Sequence, residues 1–141
     1  MNILGIDPGM KTGVAQYMGG KLVALWTIEP WHFLRTIESV IPDFVVFEDS
    51  RKESHVWNTT ASRAASIKMA RNIGEIDAWC KLIEASCDFI HVECVGISPL
   101  AKGAKLDAEK FGRLTGWDKA SNQHTRDAAM CAWPYRNKAK A

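Results

Sequence analysis

The sequence predicts an α/β fold, a five-stranded mixed sheet in which three antiparallel strands precede two parallel ones, with helices on its faces. Three short apolar or alternating runs follow one another closely at residues 2–7, 12–18 and 21–29, which is typical of an antiparallel meander. Two later apolar runs, 44–48 and 89–95, each follow a segment with helical spacing. Helical crossovers of this kind join parallel strands.

Short turns join the first three predicted strands. The segment DPGMK, residues 7–11, and the pair Gly19-Gly20 separate them, and glycine and proline are the residues that tight turns favour. Helical spacing then predicts a helix over 32–41. It ends before Pro42, because a proline disfavours helical backbone in the residue before it.

A long helix occupies the centre of the chain. After a polar loop at 49–60, apolar residues recur at three- and four-residue spacing from about 61 to 86, which predicts an amphipathic helix. The apolar run at 89–95 follows it as the last predicted strand.

Capping residues mark the helices of the last third. Asp107 is suited to cap a short helix that Gly116 ends, and Asn122 to cap a helix that stops before Pro134. Residues 134–141 form a basic tail. Without a linker or an internal repeat, the 141 residues are expected to form one domain.

Composition and charge narrow the class of protein. With 47% hydrophobic and 24% charged residues, the chain matches an ordinary globular domain. It has neither an apolar stretch long enough for a membrane span nor a signal-peptide pattern, so a cytoplasmic protein with no membrane partner is expected. Residues 101–141 carry nine Lys and Arg against four Asp and Glu, which indicates a face for a polyanion or a solvated basic surface.

Three carboxylates and one imidazole form the candidate catalytic site. Asp7 ends the first predicted strand and Glu48 the fourth. If these strands are parallel neighbours, both side chains emerge at one edge of the sheet. His124 and Asp127 are three residues apart and share one face of the last helix. The alanines after Asp127 would let that helix approach the sheet closely.

Such a ligand set suits Mg²⁺ or Mn²⁺. The chemistry it serves is two-metal phosphodiester hydrolysis, in which Asp7 would bridge two ions while Glu48 and Asp127 each hold one. His124 would be either a ligand or the base that activates water. Each residue also has a structural alternative: a turn at Asp7, a polar strand end at Glu48 and a solvated helix face at the other two.

Basic side chains follow the last predicted strand. A loop leading into a helix N-terminus offers both side-chain charge and backbone N–H groups to phosphates; scattered solubilising charges are the alternative. The candidate DNA-binding residues here are Lys102, Lys105, Lys110 and Arg113.

A second candidate DNA contact directly follows the fourth strand. Arg51 and Lys52 form a basic pair in a polar loop that also contains Trp57. The indole would stack on an unpaired base, or pack in the core or in a dimer contact.

Four segments resemble the RuvC-type Holliday-junction resolvases of the ribonuclease H-like superfamily: ILGIDPGMKTGVA, VVFED, the helix with KMARNIG, and HTRDAAMCA. They extend from the first strand to the last helix, so the resemblance covers nearly the whole chain. GIDPG also occurs in sugar-kinase and actin-like nucleotide binders. The H-x-x-D start of the last helix, combined with the acid that ends the fourth strand, narrows the choice. The resemblance implies a ribonuclease H-like fold.

The resemblance also implies site residues and a cofactor. Asp7, Glu48, His124 and Asp127 match the metal and catalytic positions of the family, which implies two Mg²⁺ or Mn²⁺ ions per active site. Many members have Asp at the position of His124, and others have His. The stretch SPLAKGAKLDAEKF is similar to a DNA-contacting loop of the family, although shorter, and implies its two lysines at 102 and 110 as phosphate contacts.

The function implied by the resemblance is that of a crossover junction endodeoxyribonuclease in DNA recombination and repair. It would be a homodimer that resolves four-way junctions by paired symmetric nicks. Met69, Ile73 or Trp79 of the long helix would lie at the dimer interface. The apolar stripe of this helix is equally explained as packing in the core. No nucleotide cofactor is expected. The alternatives are a broader branched-DNA or flap nuclease and a non-catalytic junction-binding module. The short length is compatible with a viral member, acting in the host cytoplasm.

Overall fold

The computed structural model describes residues 1–53 and 61–140, which form a mixed sheet with helices on both faces. The strands are β1 (Asn2–Asp7), β2 (Thr12–Met18), β3 (Lys21–Ile28), β4 (Phe44–Glu48) and β5 (Glu93–Ile97). Their order in the sheet is β3-β2-β1-β4-β5. The first three pair antiparallel, whereas β1, β4 and β5 are parallel to one another. The predicted fold class is therefore confirmed.

In the described part of the chain, four helices cover the sheet. They are α1 (Phe33–Val40), α2 (Arg63–Phe89), α3 (Ala108–Thr115) and α4 (Gln123–Ala132). Short 3-10 turns lie at Pro30–His32, Ser50–Lys52, Pro99–Lys102 and Trp133–Tyr135. Within the described ranges, none of the helices is long and apolar enough to cross a bilayer.

The predicted caps are present. Asp107 accepts a hydrogen bond from the backbone N–H of Lys110, and Gly116 ends α3 in the left-handed conformation with φ 78°. Asn122 and Thr125 bond reciprocally, side chain to backbone N–H, in a capping box at the start of α4. This cap orients the start of α4, whose first two turns carry two of the four candidate catalytic residues.

The strand predicted at 89–95 was placed wrongly. Helix α2 continues to Phe89, and β5 begins only at Glu93. His91, with φ 58°, makes the turn between them. The run FIHVECV is short and mostly apolar, and the periodicity of such a run cannot separate the last helical turn from the strand.

The two faces of the sheet bury different helices. Alternate residues of β1 point to opposite sides: Ile3 packs with Tyr17 and the alanines of α4, whereas Leu4 and Ile6 pack with α1 and α2. On the second side, α2 contributes only its C-terminal half. Its buried residues all lie between Cys80 and Cys87.

Glycines in β1 and β2 bring α4 unusually close to the sheet. A Cβ added at Gly5 would overlap the main-chain carbonyl of Ala128 and lie 2.9 Å from the Cβ of Ala132. A Cβ at Gly13 would overlap the carbonyl of His124. Helix and sheet therefore meet backbone to backbone, which places the start of α4 beside the end of β1.

Candidate active site

The carboxylates that end β1 and β4 open into one cleft. The two strands are parallel neighbours, and their register pairs Ile6 with Phe47, so Asp7 and Glu48 follow at adjacent positions. Both side chains line a cleft of about 420 Å³. His124 and Asp127 of α4 line the same cleft, so the structure brings together all four residues that the sequence selected.

The first two turns of α4 contribute an imidazole and a buried carboxylate. The Nδ1 atom of His124 lies 3.5 Å from Oδ2 of Asp7. The side chain of Asp127 is 7% exposed and that of Asp7 is 15% exposed. The acids are therefore largely withdrawn from water, which strengthens their interaction with any cation in the cleft.

A lysine lies among these acids. The Nζ atom of Lys102, from the 3-10 turn after β5, donates to Oε2 of Glu48 and lies 3.6 Å from Oδ2 of Asp127. Lys105 is further out, with its Nζ 4.0 Å from the same Asp127 oxygen and a side chain that is 71% exposed. Lys102 was predicted as a phosphate contact; in the structure its ammonium bonds to the acids.

Burial and the neighbouring charges change the proton affinity of Asp7. Burial, opposed by the charge of Lys102 and aided by the charges of Glu48 and Asp127, raises the pKa of Asp7 to about 6. Burial also works against the charge of Lys102, but its hydrogen bond to Glu48 and the nearby acids hold the pKa of the lysine above its ordinary value. The cleft therefore favours additional positive charge.

The donor set fits a hard divalent cation in chemistry. Mg²⁺ and Mn²⁺ prefer carboxylate oxygen, and an imidazole is a common companion. Among residues 1–53 and 61–140, however, no three His, Cys, Asp or Glu side chains already converge into a metal-binding group. Side chains in the cleft would therefore have to move to coordinate an ion.

One functional candidate was missed by the sequence analysis. The side-chain amide of Gln123 donates to Oδ1 of Asp127 at 2.8 Å and lines the cleft. Gln123 is four residues before Asp127, a spacing that places both on one helix face, so the pattern could have identified it. Its hydrogen bond leaves Oδ2 as the Asp127 oxygen that faces the lysines.

The other predicted DNA contacts lie at various distances from the cleft. Lys110 and Arg113 are exposed on α3, where Arg113 pairs with Glu109. Arg51 is held by Asp49 and Glu84, and Lys52 donates to a main-chain carbonyl of β5. Trp57 lies outside the described residues. None of these four described side chains lines the cleft of the acids.

Comparison with known proteins identifies the fold. No family model and no curated protein matches the sequence. Among solved structures, the chain is similar to Thermus thermophilus RuvC in complex with Holliday junction substrate, with a TM-score of 0.63 and 15% identity over 94% of this chain and 90% of that one. It is also similar to a Thermus thermophilus RuvC structure, with a TM-score of 0.60 and 16% identity over 94% and 92% of the two chains. The chain has the ribonuclease H-like fold of RuvC.

Proposed function

We propose that the protein is a metal-dependent, structure-selective DNA endonuclease that resolves four-way junctions by paired symmetric nicks. The observation that carries the proposal is the convergence of Asp7, Glu48, His124 and Asp127, from three separate elements, in one cleft of a RuvC-like fold. A similar solved structure is a complex with a Holliday junction substrate, which supports branched DNA as the substrate class.

The four residues have different proposed roles, which follow from their positions. Asp7, Glu48 and Asp127 would hold two Mg²⁺ or Mn²⁺ ions, which supply an activated water and neutralise the leaving 3′-oxygen. The Nδ1 atom of His124 faces Asp7 at 3.5 Å, and its side chain is 49% exposed, so it is placed to serve as a ligand or to accept a proton from water. Burial of the acids would strengthen their attraction for the cations.

Lysines in and around the cleft support binding of a polyanion. Lys11, Lys102 and Lys105 line the same cleft as the acids. Lys110 lies two residues into α3, where it is exposed. We propose that these side chains and the exposed Arg113 hold the phosphates on either side of the scissile bond, because phosphate contacts position a nucleic acid without reading its sequence.

Two nicks related by symmetry require two active sites, which a homodimer supplies. We propose that the N-terminal half of α2 forms the dimer contact. Ile67 is 46% exposed, and Met69 and Ile73 are half-buried, although the core residues of this helix begin only at Cys80. Trp79 instead lines a small cleft with the core residue Phe33 of α1 and with Ile83 of its own helix. Sedimentation of wild type and Ile73→Glu would test the contact: a dimer that the variant converts to a monomer supports it.

Cleavage of a labelled four-way junction tests the function. Wild type is expected to nick the junction symmetrically with Mg²⁺ or Mn²⁺ and to leave linear duplex intact. Asp7→Asn is expected to abolish cleavage while retaining junction binding in a native gel. Asp43→Asn is the matched control, since Asp43 bonds to the opposite end of β1, at the backbone N–H of Asn2. Cleavage by Asp7→Asn at the wild-type rate would exclude the proposed mechanism.

Other branched substrates separate the alternatives. Equal cleavage of flaps, Y-junctions and four-way junctions would indicate a broader branched-DNA nuclease with the same chemistry. Tight junction binding without metal-dependent nicking would indicate a binding module.

A further inference from the structure

The ammonium of Lys102 lies between two of the acids. It donates to Oε2 of Glu48 and lies 3.6 Å from Oδ2 of Asp127. Only 7% of the lysine side chain is exposed. A lysine that waits for DNA phosphate would extend into water, whereas this one is enclosed by carboxylates.

Both carboxylate oxygens of Asp127 already have a partner in the metal-free protein. Oδ1 of Asp127 already accepts from Gln123, and Oδ2 faces Lys102. Mg²⁺ needs oxygen ligands at about 2.0–2.1 Å in near-octahedral geometry. An ion bound to the same oxygens would lie within a few ångströms of the ammonium, and the two positive charges would repel each other strongly in a poorly hydrated cleft.

We propose that Lys102 is the built-in counter-cation of the metal-free site and competes with the divalent cation for Glu48 and Asp127. The inference rests on the metal requirement in the proposed function. In the metal-free protein, the lysine neutralises acids that would otherwise repel one another. Metal binding displaces its ammonium, so the apparent metal affinity is the intrinsic affinity reduced by this competition.

The displaced ammonium would move towards the exposed rim of the cleft. Lys102 ends a 3-10 turn and is followed by Gly103, at φ 82°. Lys105 lies at the rim of the same cleft and is 71% exposed. Displacement would add the charge of Lys102 to that of Lys105, where a DNA phosphate replaces the carboxylates as its partner. Metal binding would thus prepare the cleft for DNA.

Calorimetric titration of Mn²⁺ into the DNA-free protein tests the competition. Lys102→Met is expected to bind Mn²⁺ more tightly than wild type by about tenfold or more, since removing a cation partner from a buried acid pair is worth at least this factor. Lys105→Met is the matched control, because its charge is close to the same acid but exposed. Its affinity is expected to change by less than about twofold, as solvent screens it.

A second measurement on wild type keeps the test independent of how the variant folds. Reductive methylation of lysines, mapped by mass spectrometry, is expected to spare Lys102 in EDTA and to modify it with Mg²⁺ present. Lys105 should react equally in both conditions. Three results would each overturn the inference. Wild type and Lys102→Met could bind Mn²⁺ with equal affinity, or neither protein could bind Mn²⁺. Lys102 could also stay protected from methylation when Mg²⁺ is present.

The proposed function can fail separately. If Lys102→Met binds Mn²⁺ more tightly but metal-loaded wild type does not nick a junction, the counter-cation role holds and the nuclease proposal does not. Wild type could instead nick the junction while Lys102→Met binds Mn²⁺ no more tightly and the methylation of Lys102 does not change with Mg²⁺. In that case the nuclease proposal holds and the counter-cation role does not.

Discussion

Replacement of Asp7 by asparagine is expected to make the metal-free protein more stable while abolishing cleavage. Burial first, and then the charges of Glu48 and Asp127, raise the pKa of Asp7 from 3.8 to about 6 against the opposing charge of Lys102. A rise of this size corresponds to at most about 3 kcal/mol of lost folding free energy at neutral pH. Because 15% of the side chain is exposed and screened, we expect a gain of about 1–2 kcal/mol for the variant.

The sign of the pH dependence follows from the direction of the pKa change. The folded protein binds the Asp7 proton more tightly than the unfolded chain does, so ionisation costs stability. The cost is absent below about pH 4, develops as the pH rises to about 6 and is constant above it. Asparagine does not titrate, so the stability gap between Asp7→Asn and wild type should grow over the same interval.

Thermal unfolding in EDTA, followed by circular dichroism between about pH 4 and 8, measures this gap. At the upper end, the variant is expected to melt about 2–8 °C above wild type. Addition of Mg²⁺ should stabilise wild type more than the variant, because the variant has lost a metal ligand. If the melting temperature of the variant in EDTA at about pH 8 is equal to or below that of wild type, Asp7 is not a buried acid with a raised pKa.

Asp43→Asn provides a control of opposite sign. The backbone N–H of Asn2 and the ammonium of Lys140 hold the pKa of Asp43 below its ordinary value. The stabilisation from this acid is present above the ordinary carboxyl pKa and is lost as the pH falls. Asp43→Asn should therefore lower the melting temperature at neutral pH and lose that effect in acid.

Three further changes probe the packing of α4 and its contact with the site. Gly13→Ala would force a methyl group into the carbonyl of His124, so junction cleavage is expected to fall by about a hundredfold; cleavage at the wild-type rate in a gel assay would contradict this close approach. Gln123→Leu removes the amide that donates to Asp127 and should weaken Mn²⁺ binding in calorimetry by about tenfold or more. An unchanged affinity would mean that Gln123 does not position Asp127. Tyr17→Phe removes a buried hydroxyl that donates to a main-chain carbonyl of α4 at 2.8 Å, and urea unfolding should show a loss of about 1–2 kcal/mol; a loss near zero would mean that this bond adds nothing.

The N-terminal strands and the helix caps were predictable from local sequence. β1, β2 and β4 have the predicted bounds because short apolar runs are interrupted by Gly, Pro or acidic residues. The caps at Asp107 and Asn122 depend on a side chain and a backbone N–H three residues later, so the local pattern contains all that they need. The junction of α2 and β5 was not predictable in this way, since the same short apolar run suits either structure.

The candidate acids were selected by the sequence, but their chemistry depends on tertiary contacts. The topology rule places Asp7 and Glu48 at one edge once β1 and β4 are adjacent, and helical spacing pairs His124 with Asp127. The raised pKa of Asp7 and the enclosed ammonium of Lys102 depend instead on the approach of segments far apart in the chain. Residue spacing carries no information on those distances.

By itself, the sequence determined the order of the elements, the caps and the identity of four side chains at one end of the sheet, because each follows from local periodicity or from a strand's direction. Only the tertiary structure decided how near α4 lies to β1 and β2, through Gly5 and Gly13, and which cation the acids hold without metal. It also decided that the first half of α2 lies outside the core, since an amphipathic stripe does not specify the surface that covers it. The physical reason is the same throughout: local patterns set backbone conformation, whereas charge pairing and burial depend on residues that meet only in the folded chain.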